Sequence, residues 1–302
     1  MISVIIPHFN QPEQLDRCLA SLQGQDSNGQ PVEILVVDNG SGQMPDDVVA
    51  KYPDVRLLQE VEPGPGPARN FGVAQSKGDI LAFIDADCVA GGGWLAAIVK
   101  HLGAESSADI LGGDVRILHK RPDHPDQLEA YESEFSFRME HYIKKQGFTG
   151  TGNLATRRAV MLDVGPFGGI DLAEDRDWGQ RARAKGYAIN WVPEMLALHP
   201  ARQDFSELAR KWDRHTAHDF ALYMARPLGR LKWGLRSLAM ALSPLGSGLR
   251  VLRSRRIGGG ISGKLKALAV LTRIRLYRSR KMLGLLLRRA DQHIDTRWRD
   301  SP

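Results

Sequence analysis

The chain reads as an α/β protein: a mostly parallel twisted sheet flanked by helices, followed by a basic α-helical C-terminal extension. Three observations predict this. Over the first 115 residues, short apolar runs alternate with helical patterns, the signature of βαβ units. Several of those runs end in polar or acidic groups, at the strand ends where open α/β sheets bind ligands. Beyond residue 205 the alternation gives way to Leu, Arg, Lys and Gly.

Ile2 to Ile6 is the first expected strand, stopped by Pro7. Pro12 then starts a helix whose Leu15, Cys18, Leu19 and Leu22 follow the i, i+3, i+4, i+7 spacing of a core-facing stripe. Val32 to Val37 is a second strand, ending in Asp38-Asn39-Gly40-Ser41, and Val55 to Leu58 is a shorter third. Glu62 to Pro67, alternating Pro and Gly, predicts a stiff helix-free loop before a helix opening at Ala68, with Arg69 in its first turn. Ile80 to Ile84 is the next strand, followed by a helix over Trp94 to Leu102 and a strand over Ile110 to Ile117.

Residues 126 to 146 read as helical, and Gly147 to Asn153 as a turn-rich return. Asp171 to Gly186 holds an acidic cluster leading into a helix over Trp178 to Lys185, closed by Gly186. Ala188 to Leu198 is a last strand, ending at His199-Pro200. Phe205 to Met224 is helical, and two breaks are expected after it, at Ser243-Pro244 and at Gly258 to Gly260. The resulting division is 1–115 for a ligand-binding α/β half, 116–205 for a second half of the same domain, and 206–302 for the basic tail.

With 302 residues, 42% of them apolar, the chain buries a substantial core, which excludes the disordered and fibrous classes. Its net charge of +6 conceals a polarity. Residues 1–199 carry 18 Lys and Arg against 28 Asp and Glu, whereas residues 200–302 carry 23 against 7. No Asp or Glu occurs between Asp219 and Asp291, so an anionic partner is expected for the tail. The two cysteines, Cys18 and Cys88, and strand-like residues from Ile2, where a secretory signal would lie, point to a reducing cytosolic setting. The longest uncharged stretch of the tail, Ser237 to Leu249, is too short to span a bilayer.

The chemistry-bearing residues gather at strand ends. The apolar run from Ile80 ends in Asp85-Ala86-Asp87, a buried strand that delivers two carboxylates suited to a hard divalent cation, and a cation there would neutralise a diphosphate. Pro7-His8-Phe9-Asn10, Asp38-Asn39 and His199 end other strands. Each has a plain structural alternative: Asp38 as a turn former, Arg69 as a solvated helix residue, His199 as a loop histidine. A second Asp-x-Asp, Asp175-Arg176-Asp177, shows that the bare pattern arises in more than one context.

The motifs VIIPHFN at the start, ILVVDNGS at 34–41, GPARNFG at 66–72, FIDADC at 83–88, GTGNLATRR at 150–158 and AEDRDW at 173–178 together resemble family 2 glycosyltransferases of the GT-A fold, over residues 1 to 200. The resemblance implies a metal-dependent, inverting transfer of a sugar from a nucleotide-sugar donor, a UDP- or GDP-sugar, to a glycan, lipid-linked or small-molecule acceptor. In it, Pro7, Asn10, Asp38, Arg69, Asp85 and Ala86 would bind the nucleotide sugar. Asp87 would hold Mn2+ or Mg2+, with His199 as a second metal ligand. Gly152, Asn153 and Trp178 would shape the sugar and acceptor pocket. Asp175, after Glu174, would be the general base.

Displacement at an anomeric carbon needs both a stabilised leaving diphosphate and a base on the opposite side of the sugar, so two separate acidic sites are required. The alternative for Glu174 and Asp175 is that they cap the following helix.

Two rivals stand beside this reading. Asp85-Ala86-Asp87-Cys88-Val89 also fits the strand-end motif of haloacid-dehalogenase-like phosphatases, which normally follows the first strand of their core. The basic tail would alternatively make a nucleic-acid-binding module, with seventeen Lys and Arg across residues 220–290. Leucines among those cations, at 235, 238, 242, 245 and 249 and again at 283 and 285–287, favour an interface over a solvated arm. The expectation is peripheral contact through 230–290 with the inner face of the cell membrane, with a homo-oligomer as the alternative and nucleic acid disfavoured.

Overall fold

A computed structural model of the chain describes residues 1–103, 106–170 and 172–287. Asp171, the first residue of the expected acidic stretch, and residues 288–302 of the expected tail lie outside them. The chain divides into two compact units, one made of Met1–Arg116 with Phe137–Pro200, the other of Ile117–Ser136 with the residues from Ala201 onward. Residues 117–136, expected with the second half of the α/β domain, thus group with the tail.

The first unit is built on β1 (Ile2–His8), α1 (Pro12–Leu22), β2 (Val32–Asp38), α2 (Asp46–Val49), β3 (Val55–Gln59), α3 (Pro65–Gln75), β4 (Ile80–Ile84), β5 (Val89–Ala90), α4 (Trp94–Leu102) and β6 (Ile110–Leu118). The second unit takes α5 (Gln127–Phe135), after which the chain returns through α6 (Met139–His141) and a π-helical turn at Tyr142–Gln146. Next come β7 (Asn153–Arg157), α7 (Arg158–Val164), α8 (Glu174–Ala184) and β8 (Ile189–Pro200). The strands form one sheet in the order β3-β2-β1-β4-β7-β6-β8-β5. Pairing is parallel through β3-β2-β1-β4 and antiparallel for β4/β7, β6/β7 and β5/β8, so the parallel expectation holds for the first half and the sheet is mixed beyond it.

Helices cover both faces. One apolar cluster joins Val4, Ile6, Leu15, Leu19, Val36, Ile84 and Ile98, and another joins Ile5, Val37, Phe83, Phe167 and Trp178. Alternate residues of β1 serve the two clusters, as the period-two geometry of a strand buried on both faces requires. Gly72 lets α3 lie against β1, since a Cβ there would sit 2.5 Å from Ile5 Cγ2.

Pro7 does not stop β1. The pairing with β4 ends at Ile5, so at Pro7 only the β2 side remains, and the register runs on to His8 opposite Asp38. The loop expected over Glu62 to Pro67 is shorter, because α3 begins at Pro65. Its first-turn amides have no intrahelical acceptor, so prolines at 65 and 67 cost the helix nothing there. Helix over 126–146 is interrupted at Ser136 to Arg138, where Phe137 takes a left-handed φ of 47°. The strand β7 and helix α7 follow the expected return at Gly147 to Asn153 and carry no clear periodicity of their own.

The second unit adds α9 (Phe205–Met224), α10 (Gly229–Arg253) and α11 (Gly260–Leu287). Leu128, Tyr131, Leu208, Val251, Leu271 and Ile274 form its core. The break expected at Ser243-Pro244 is absent: α10 runs straight through Pro244. Proline leaves the carbonyl four residues back without its helical donor, and here that carbonyl, Met240 O, accepts from Ser243 Oγ at 2.7 Å. Among the described residues no helix is long and apolar enough to cross a membrane.

Candidate active site

The carboxyl ends of β1 and β2 lie side by side and carry a closed polar cluster. His8 and Asp38 are both buried, and His8 Nδ1 donates to Asp38 Oδ1 at 2.9 Å. The Gln11 amide donates to His8 Nε2 at 3.2 Å, which leaves the ring proton on Nδ1. Asp38 Oδ2 accepts from the Ser41 amide at 3.0 Å. Burial pushes the Asp38 carboxyl up, but hydrogen bonds from Ser41 and His8 outweigh it and hold the group below the ordinary range. Both oxygens of Asp38 are therefore engaged, each by one donor, and the carboxylate orders the loop that follows. Asn10, exposed and at φ 52°, accepts from the Gly42 amide, which joins the two strand-end loops. Pro7 is half-buried beside them.

Arg69, on α3, is 3% exposed and forks between two carboxylates from distant parts of the chain. Its Nη2 donates to Asp85 Oδ1 at 2.6 Å and its Nη1 to Glu174 Oε1 at 3.1 Å. Burial alone would lower the guanidinium's pKa, yet Asp85 and Glu174 raise it. The solvated-helix alternative for Arg69 is excluded by this burial. A Cβ at Gly152 would lie 2.3 Å from Asp85 Oδ2, so the backbone before β7 closes the other side of that carboxylate.

Glu174 and Asp175 belong to the first turn of α8 and not to a loop before it, and the cap residue Ala173 makes no side-chain cap hydrogen bond. Asp175 Oδ1 accepts from the Arg176 amide at 2.6 Å. Burial, then the neighbouring Glu174 charge, pushes the Asp175 carboxyl up to about 6, against smaller pulls from the Arg176 amide and Arg69. A carboxyl poised there ionises close to neutral pH, as a general base must.

Asp87 pairs with His199, Oδ2 to Nε2 at 3.1 Å. His199 Nδ1 donates to the Pro200 carbonyl at 2.6 Å, which orients the ring with Nε2 toward Asp87. A carboxylate oxygen and an imidazole nitrogen 3.1 Å apart, the nitrogen oriented by a backbone carbonyl, are a donor set whose chemistry fits a borderline divalent cation. Among the described residues no group of three or more His, Cys, Asp or Glu is arranged to hold a metal, so oxygens of a ligand would have to complete the shell. Burial pushes the Asp87 carboxyl up and the His199 ring down, and the pairing reverses both.

Two expected pocket residues, Trp178 and Asn153, and one expected nucleotide-sugar residue, Ala86, have buried side chains. Trp178 is fully buried, packs 5.3 Å from Phe167 and donates its Nε1 to Gly165 O, so it is core and lines no pocket. Asn153 is fully buried, donating to Asp114 O and Met195 O and accepting from Trp94 Nε1, so it fastens β7 to β6, β8 and α4. Ala86 is 3% exposed and its methyl belongs to the core. Both cysteines are buried free thiols with their pKa values pushed up.

Two residues enter that sequence reasoning left unassigned. His8 sat in a quoted strand-end motif, and its position opposite Asp38 in a parallel register was the available signal. Phe137 lies against the His199 ring with centroids 4.6 Å apart, a contact no local pattern announces.

A family model described as Glycosyl transferase family 2 matches residues 3–165. Glycosyltransferase AglE of Haloferax volcanii is 33% identical over 216 residues, which cover 70% of each chain. The pre-mycofactocin glycosyltransferase of Mycobacterium tuberculosis is 26% identical over 219 residues, covering 70% of this chain and 45% of that one. Among solved structures, the mannosyltransferase PcManGT from Pyrobaculum calidifontis, in complex with GDP-Man and Mn2+, superposes with a TM-score of 0.58 at 18% identity, covering 95% and 87% of the two chains. The S. aureus TarS fragment in complex with UDP-GlcNAc gives 0.51 at 17% identity, covering 91% and 90%. At these identities the likeness speaks for the fold.

Proposed function

Since the chain belongs to glycosyl transferase family 2 and is a glycosyltransferase, we propose that it moves a sugar from a nucleotide-sugar donor to an acceptor hydroxyl with inversion at the anomeric carbon. The observation that carries this reading is the Arg69 fork, which ties the strand end bearing Asp85 to the α8 turn bearing Glu174 and Asp175. One strand end thus serves the departing diphosphate, and a second acidic site one residue from the fork serves the incoming hydroxyl.

Asp87 and His199 would hold a divalent cation, Mn2+ or Mg2+, which supplies charge neutralisation at the diphosphate when bound. The loops after β1 and β2, ordered by His8, Asp38 and Asn10, form the side that receives the nucleoside. Arg69 holds Asp85 in place, directed toward the donor. Asp175 takes the proton of the acceptor hydroxyl as its oxygen attacks the anomeric carbon and the bond to the diphosphate breaks. The structural relatives that hold GDP-Man with Mn2+ and UDP-GlcNAc support a nucleotide-sugar donor. The acceptor classes that suit such a site are a glycan, a lipid-linked glycan or a small hydroxylated molecule.

The phosphatase alternative loses its premise: Asp85 follows the fourth strand of the sheet and its carboxylate is bound to a buried arginine, whereas a phosphoryl-accepting nucleophile has to stand free.

The test screens sugar nucleotides with Mn2+ for a thermal shift and then determines the anomeric configuration of the product by NMR. An inverted product is expected, with turnover reduced by about 10²–10⁴-fold in Asp175→Asn while donor affinity is kept. A retained configuration, or wild-type turnover in Asp175→Asn, would overturn the mechanism.

A further inference from the structure

We propose that the outer face of α10 lies on an anionic lipid surface. A row of leucines runs from Leu231 to Leu252 in alternating steps of four and three residues, and its members are between 54% and 79% exposed. The helix continues through Pro244 because Ser243 takes up the Met240 carbonyl, so the row forms one unbroken stripe about six turns long.

The stripe has no partner among the described elements. The side of α10 that packs on α11 carries Trp233, Ser237, Met240 and Val251, with Trp233 Nε1 donating to Met282 O at 2.9 Å and Ser237 Oγ to Ser279 O at 3.0 Å. At about 100° per residue the leucines stand on the opposite side. Between them are Gly234, Ala239, Ala241 and Gly246, so no charge interrupts the apolar face.

Charge selects the occupant. The helix carries five cations, Arg230, Lys232, Arg236, Arg250 and Arg253, and no acid. Some of them are engaged: Arg236 pairs with Asp219 and Arg250 with Glu134. Lys232 and Arg253 are exposed next to the stripe. A second copy of the chain would bring the same basic segment against itself, with no Asp or Glu from residue 220 to 290 to neutralise it. Anionic headgroups supply the opposite charge while acyl chains receive the leucines, and both contributions are needed for a helix that lies in the interface plane. The inference is independent of the donor and of the reaction's stereochemistry.

The experiment uses the full chain and sedimentation with vesicles of phosphatidylcholine alone or of equimolar phosphatidylcholine and phosphatidylglycerol. Binding to the anionic vesicles is expected, falling about tenfold or more at high salt and about tenfold or more in L238Q/L242Q/L245Q. Those three positions are already exposed, so the variant should keep its circular dichroism and melting temperature. Equal binding by the variant, or retention on neither vesicle, overturns the proposal. So does a homodimer, detected by light scattering, that dissociates in the variant and accounts for the stripe.

Discussion

Gly152 stands so close to Asp85 that a methyl group at 152 would reach to 2.3 Å from Asp85 Oδ2, while the other oxygen is held by Arg69 at 2.6 Å. The carboxylate is fixed from two sides, by an absent side chain and by a charged donor. Gly152→Ala should turn Asp85 away from its partner, and the obstacle is a movable side-chain tip, so the fold should survive. The expected result is a loss of about tenfold or more in kcat/KM with a melting temperature near that of the parent. A variant with full activity would show that the orientation of Asp85 is unimportant.

Asp175 makes a prediction with two signs. As a base it works ionised, so kcat should fall as pH drops through about 6. For stability the direction is opposite: its folded pKa lies above the ordinary 3.8, so the stability associated with this group is greatest below 3.8 and declines as pH rises through about 6. Asp175→Asn should therefore raise the melting temperature at pH 7, leave it unchanged at acidic pH, and abolish most of the turnover. Thermal melts across pH beside a kcat profile check both.

Arg69→Lys keeps the charge and loses the fork. A single ammonium cannot reproduce two divergent contacts to Asp85 and Glu174, so one carboxylate is left without its partner. Breaking such a pair costs about 3 kcal/mol in a dry interior and less here, where Asp85 keeps 36% of its side-chain surface. A drop in melting temperature together with weaker donor affinity, measured by calorimetry, is the expected outcome.

His199→Ala removes one of the two atoms directed at the proposed cation. Titration of Mn2+ with a nucleoside diphosphate present, read by electron paramagnetic resonance, should show affinity reduced by about tenfold or more. Unchanged affinity would remove His199 from the metal site. Phe137→Ala, which takes away the ring packed on His199, should give a smaller loss in the same titration.

Ser243 and Pro244 should be coupled. Ser243→Ala leaves the Met240 carbonyl without its donor and is expected to cost about 1 kcal/mol. Pro244→Ala restores a backbone donor, so the serine substitution should then cost almost nothing. A double-mutant cycle by denaturant unfolding measures the difference.

Much of the first unit was legible because its signals are local. The alternation in Ile2 to Ile6 and Val32 to Val37, the stripe of Leu15 to Leu22 and the span Trp94 to Leu102 each record a buried face in the spacing of a few residues. The strand ends at Asp38, Asp85 and His199 were visible for the same reason. Asn153 and Trp178 were read as pocket residues, since the type of a polar or aromatic side chain does not reveal whether its hydrogen bonds go to ligand or to backbone. Their partners, Asp114, Met195 and Gly165, come from other elements.

By itself the sequence determined where apolar faces lie, which strand ends carry acids, and that the last third is basic, because periodicity and charge are properties of neighbours in the chain. Only the tertiary structure decided that Arg69 joins Asp85 to Glu174, 105 residues beyond it, and that His199 meets Asp87. It also decided that Pro244 leaves α10 whole, since a hydroxyl one residue away takes up the carbonyl that the proline leaves bare. Contacts of that kind depend on where folding brings distant groups, and no window of sequence contains both partners.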